Sequence, residues 1–193
     1  MKYVFPILLL MVLISCGDPS ENGLNDETKL ENMRLFNEKF ELLLPTGMLR
    51  FSSAELKDYD VKNPPQAGFY SSDKSVVITI RNLPVVEGEE ELRFNTIVEV
   101  LETITSTAGA NKIRDEVSKK YNHQMFVMDM EGKFNDKLIF STAETIGSFV
   151  FLVVDDGEYF FFEMHYPARD IKKSLELKEK ILSSFKILKE RFA

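Results

Sequence analysis

A chain of 193 residues with 24 basic and 31 acidic side chains carries a net charge of −7. That balance excludes nucleic acid as a partner, because such binding draws its affinity from clustered lysine and arginine, and no cluster occurs. The single cysteine, Cys16, rules out a disulfide within the chain, so stability must come from an apolar core.

The chain opens on Lys2 and a nearly unbroken apolar run from Tyr3 to Ile14. The run is too short for a spanning helix, which takes roughly 20 residues, and suits the apolar region of a secretory signal. Leu13-Ile14-Ser15-Cys16 closes it, and with that ending the segment resembles a bacterial lipoprotein signal. The resemblance implies cleavage before Cys16, a diacylglycerol on the Cys16 sulfur and acylation of the new terminal amine. Residues 1–15 are therefore read as the signal peptide and Cys16 as the lipidation site. Two or three acyl chains make a stable anchor, since each buried methylene contributes about 0.8 kcal/mol. By resemblance to Gram-negative sorting rules, Gly17 in place of Asp points to the outer membrane. Asp18 to Gly23 is polar and turn-rich, opening a flexible tether and lead-in over residues 16–38.

Residues 39–193 are of a size served by one core and are read as a single domain. Leu30 to Phe36, in the lead-in, reads as short helix or irregular chain. Phe40-Glu41-Leu42-Leu43-Leu44-Pro45 is an apolar strand stopped by proline, with Thr46-Gly47 turning after it. Met48 to Pro65 is mixed, Asn63-Pro64-Pro65 is a loop, and Gly68 to Ser72 is compatible with an extended segment. β-Branched residues then dominate Ser75 to Arg81, a strand with Val76, Ile78 and Ile80 on one face.

From Glu90 the apolar period changes to 3.6. Phe94, Ile97, Val98, Leu101 and Ile104 form one stripe of an amphipathic helix ending near Thr107 to Gly109. Glu87, Glu89, Glu90 and Glu91 complement its positive end and are not read as a metal site. Asn111 to Lys120 fits a helix or a strand. Gln124 to Phe134, Leu138 to Ile146, Phe149 to Val154 and Tyr159 to Tyr166 read as a four-strand meander, its last turn built on Asp156-Gly157. Phe149 to Val154 and Tyr159 to Phe162 are apolar at odd and even positions alike. A hairpin of that kind needs a central place in an antiparallel sheet with cover on both sides. Asp170 can cap a last helix whose inner stripe is Ile171, Leu175, the Lys178 stem, Ile181, Leu182 and Phe185.

The order of these elements, with the closing Ile181-Leu182-Ser183-Ser184-Phe185-Lys186, resembles the PsbP-like superfamily over roughly Phe40 to Leu188. The resemblance implies an α+β fold, an antiparallel β-sheet with helices packed on both faces as an αβα sandwich. That superfamily is known mainly for binding and assembly roles, so no catalytic residue is carried over. A tryptophan common after the first proline is missing here, where Met48, Leu49 and Phe51 stand instead.

Direct search for chemistry assigns no catalytic, metal or cofactor-binding residue. His123 and His165 stand in no ligand spacing, although a meander brings two such strands within reach of each other. No G-x-S-x-G occurs, and the small side chains of Ser183 and Ser184 suit close helix packing. Asp155, Asp156 and Glu158 read as solvated turn acids, and Gly132, Gly147 and Gly157 as strand turns or irregularities. The leading expectation is a membrane-anchored, non-catalytic envelope module that binds a protein or small ligand. The alternative is an envelope hydrolase using carboxylates and one His in a cleft. A deep polar pocket beside His165 or His123 favours the enzyme, and a shallow apolar groove the module.

Overall fold

The computed structural model describes residues 28–59, 62–84, 86, 88–107, 110–120, 123–132, 146–155, 158–167 and 175–188. Cys16 and the signal, the expected strand over residues 138–145, the Asp156-Gly157 turn, and Asp170 and Ile171 lie outside them. In chain order the elements are β1 (Leu30–Leu35), β2 (Phe40–Pro45), β3 (Leu49–Arg50), α1 (Ser53–Tyr59), β4 (Ala67–Tyr70) and β5 (Val77–Pro84). There follow α2 (Glu90–Thr107), β6 (Asn111–Lys120), β7 (His123–Gly132), β8 (Ile146–Asp155), β9 (Glu158–Pro167), α3 (Leu175–Ser184) and β10 (Lys186–Ile187). The larger sheet runs β3-β4-β5-β9-β8-β7-β6 and the smaller β1-β2-β10, each with antiparallel pairing.

The apolar hairpin takes the central position that its composition demands, with β9 between β5 and β8. Side chains alternate across a strand, so its two apolar sets enter different clusters. One contains Phe149, Phe151, Val153, Phe160, Phe162 and Met164, with Leu42 and Leu44 of β2 and Ile181 and Leu182 of α3. The other contains Val150, Leu152, Val154 and Tyr159 with Phe94, against which Ile97, Val98 and Leu101 of α2 pack. Phe94, Ile97, Val98 and Leu101 of the expected stripe therefore face the sheet.

Several expectations are corrected. Residues 30–35, expected as helix or irregular lead-in, form an edge strand because each faces a residue of β2, from Leu30 opposite Pro45 to Leu35 opposite Phe40. Residues 111–120, open between two readings, form a strand along β7. β7 pairs directly with β8, Gly132 opposite Ile146. Gly147 is an ordinary ladder position opposite Glu131. The inward face of α3 is Leu177, Lys178, Ile181 and Leu182, which leaves Leu175 outside.

The apolar pattern of the chain does not mark α1, although Ser52-Ser53-Ala54-Glu55 carries a capping box. The Glu55 amide donates to Ser52 Oγ at 3.3 Å, and the Ser52 amide donates back to Glu55 Oε2 at 2.7 Å. The helix then lies close on the sheet at Gly68, where a Cβ would stand 2.7 Å from Leu56 Cδ2 and 2.9 Å from Phe51 Cδ2.

The turn between β1 and β2 is strained. Phe36, Asn37 and Glu38 have φ of 54°, 56° and 65°, the left-handed region that brings Cβ against a carbonyl oxygen. Phe36 holds the turn by packing edge-on to Phe40 and Phe160, with centroids 5.9 and 6.5 Å away. Glu38 is exposed, and its ion pair with Arg34 is of the surface kind that contributes little. Glu38→Gly should therefore raise stability by about 0.5–1 kcal/mol, strain relief exceeding the added freedom of the unfolded chain. A urea midpoint that rises with an unchanged slope would show it; a falling midpoint would refute it.

Candidate functional site

Three features stand out from the apolar framework: two clusters of ionisable side chains and one groove. The first cluster joins Asp129 of β7, Tyr166 of β9 and Lys178 of α3, each at most 1% exposed. Tyr166 donates to Asp129 Oδ1 at 2.9 Å, and the Lys178 ammonium donates to Tyr166 Oη at 2.8 Å and directly to Asp129 Oδ2. The ammonium also lies 5.1 Å from the Tyr166 ring centroid. The helix stripe predicts only the Lys178 stem inside, whereas the charged end is buried too, because a carboxylate and a phenol meet it there. The available signal was a pair of opposite charges on inward positions, Lys178 on its helix stripe and Asp129 after Met125 and Val127.

The second cluster lies across β5 and β9. The register sets Thr79 opposite Glu163 and Val77 opposite His165, so alternation puts Thr79, Arg81, Glu163 and His165 on one face. Thr79 donates to Glu163 Oε2 at 3.3 Å, Arg81 meets the same oxygen at 3.5 Å, and His165 Nε2 lies 3.2 Å from Oε1. Burial acts to raise the Glu163 carboxyl, but the charge and hydrogen bond of His165, the charge of Arg81 and the Thr79 hydroxyl outweigh it and bring it down to about 2. Such a carboxylate stays ionised at neutral pH and is poorly suited to trading protons.

The two histidines do not share a site. His165 stands opposite Ser148, and Ser148 opposite Met130, whereas His123 begins β7 seven residues before Met130. At about 3.3 Å per residue that separates them by roughly 23 Å along the sheet. Of the turn acids, Glu158 pairs with Lys39. Ser184 accepts the Leu43 amide at 2.8 Å, tying α3 to β2, and Ser183 is exposed. No group of three or more His, Cys, Asp or Glu side chains comes together among the described residues.

The groove, of about 480 Å³, runs between α2 and the exposed end of β5 and β9. Leu83, Tyr159 and Phe161 line it from the sheet, Ile97, Val100 and Leu101 from the helix. Arg81 and Arg93 are its charged lining residues. Arg81 is braced by the Asn63 carbonyl at 3.3 Å and lies 5.8 Å from the Phe161 ring centroid. Arg93 meets Glu89 through Nε at 3.4 Å on the surface. Val86 and Val100 at the groove are 59% and 50% exposed, so an apolar rim stands open to solvent.

No family model matches the chain, and no curated protein matches it by sequence. Among solved structures it is similar to the cyanobacterial PsbP, CyanoP, of Synechocystis sp. PCC 6803, with a TM-score of 0.61 and 11% identity over 91% of this chain and 99% of that one. It is similar to the Ran-binding protein Mog1p of Saccharomyces cerevisiae, with a TM-score of 0.51 and 12% identity over 83% and 96%. A Bacteroides thetaiotaomicron protein matches with a TM-score of 0.51 and 11% identity over 83% of this chain and 49% of that one. The chain therefore has a mixed α/β, PsbP- and Mog1-like fold with antiparallel sheets, a likeness of architecture alone.

Proposed function

We propose that the mature chain is a non-catalytic binding or assembly module, anchored in the bacterial envelope through lipidated Cys16 and lying at the outer membrane. Its domain is a sheet covered by helices on both faces, and its working surface is the groove between α2 and the exposed end of β5 and β9. The observation that carries this reading is the groove's shape and lining: an open, largely apolar surface with an exposed valine rim. The PsbP-like and Mog1-like architecture supports it, since one of those neighbours is itself a Ran-binding protein. The hydrolase alternative draws on the approach of His165 to Glu163, but a carboxyl held near 2 makes a poor acid or base at neutral pH.

A photo-crosslinking residue at Val100, in the full-length chain in its own cells, should give a discrete and reproducible adduct. The same residue at Leu92, which is exposed on α2 and outside the groove lining, should give none. Equal adducts at both positions, or none at either, would overturn the groove as working surface. The anchor has its own measurement: mass spectrometry should find an amino-terminal peptide beginning at Cys16 with a diacylglyceryl group, and an unmodified thiol would refute it.

A further inference from the structure

Tyr159 is 5% exposed, lines the groove, and its hydroxyl has no hydrogen-bond partner among the described residues. A buried phenol left in that state forgoes a bond that almost every such group makes, which marks a place for an acceptor from outside the fold. The surrounding charge indicates what kind of acceptor. In a chain of net charge −7, the groove lining holds two arginines and no acid among the described residues. Arg93 is bound to Glu89 by a single long contact at the surface, which an incoming carboxylate can replace with a charge-assisted pair. Burial raises the Tyr159 phenol above its ordinary value, Arg93 opposing this and Glu89 and Glu90 adding to it, so the hydroxyl keeps its proton and donates. Beyond this polar end the lining is Leu83, Ile97, Val100, Leu101 and Phe161.

Resting on the binding-module reading, we infer that the groove takes a fatty-acid-sized monocarboxylate, its carboxylate accepting from Tyr159 and paired with Arg93, its chain lying along α2. The volume of about 480 Å³ is in the range of small-ligand sites.

The test uses the full-length lipidated protein in phosphatidylcholine nanodiscs and a diazirine-bearing dodecanoate as probe. After irradiation, peptide mapping should place the label on residues 81–86, 93–101 and 159–161, and unlabelled dodecanoate should compete at concentrations at least tenfold lower than dodecanol. Tyr159→Phe should reduce labelling about tenfold without lowering the thermal midpoint, because it removes a hydroxyl that bonds nothing among the described residues. Arg93→Gln should reduce it similarly. Label spread along the chain, dodecanol competing equally, or Tyr159→Phe labelling like the parent would overturn the assignment. If the parent takes no label while the Val100 crosslink in cells persists, the ligand class fails and the module stands. If both are absent, both fail.

Discussion

Lys178→Met should lower the stability of the protein by about 3–5 kcal/mol, because it leaves the Asp129 carboxylate buried without its counter-charge. Asp129→Ala should cost a similar amount by stranding the ammonium. Both are large against the 5–15 kcal/mol that holds a typical domain folded. The pair itself contributes far less than its breakage costs, since the attraction between the charges is offset by their removal from water. The double variant Lys178→Met, Asp129→Leu should therefore recover most of the loss, giving strongly non-additive energies. Tyr166→Phe should have a smaller effect, on the order of 1–2 kcal/mol, since the ion pair survives and only the bridging hydroxyl is lost. Far-ultraviolet circular dichroism in urea suits the measurement, the chain having no tryptophan. A single-variant cost below 1 kcal/mol would refute the buried pair.

Glu163→Gln should cost about 2–3 kcal/mol at pH 7, and the cost should disappear in acid. The folded protein holds this carboxyl at about 2 against an ordinary 4.5, so the folded state favours the ionised form. Its contribution is fully present above pH 4.5 and declines as pH falls toward 2, where both states are protonated. A gap of that width corresponds to about 3 kcal/mol, with the side chain 20% exposed. The stability difference between parent and variant should thus hold level from pH 7 to about 5 and then shrink. A difference that stays constant to pH 2.5 would show that Glu163 acts through shape and hydrogen bonding alone.

Much of the framework was readable from periodicity. Phe40–Pro45 emerged as β2 with the bounds its composition marks, and Glu90–Thr107 as α2. The two-sided apolar hairpin took its central place. Each signal is local: a strand alternates with period two, a helix with 3.6, and a segment buried on both sides loses its alternation. Where local signals were weak, partners decided. Leu30, Met33 and Leu35 carry too little pattern to choose a conformation, and the six residues of β2 opposite them made the choice. Residues 111–120 were settled in the same way by β7. The capping box at Ser52 and Glu55 was visible all along; an irregular apolar pattern hid the short helix it begins.

From its own residues the chain determined its acidic balance, its single cysteine, its apolar opening run, its main strands and the stripe of α2, because each follows from residue type and near-neighbour spacing. The tertiary structure decided that a second small sheet joins α3, that Lys178, Asp129 and Tyr166 meet in the interior, that Glu163 gathers Thr79, Arg81 and His165, and that α2 leaves a groove beside Tyr159. Those facts depend on strand order and register between residues far apart in the chain. A one-residue slip in register would turn every side chain of a strand to the opposite face, and no local pattern encodes which partner will fix it.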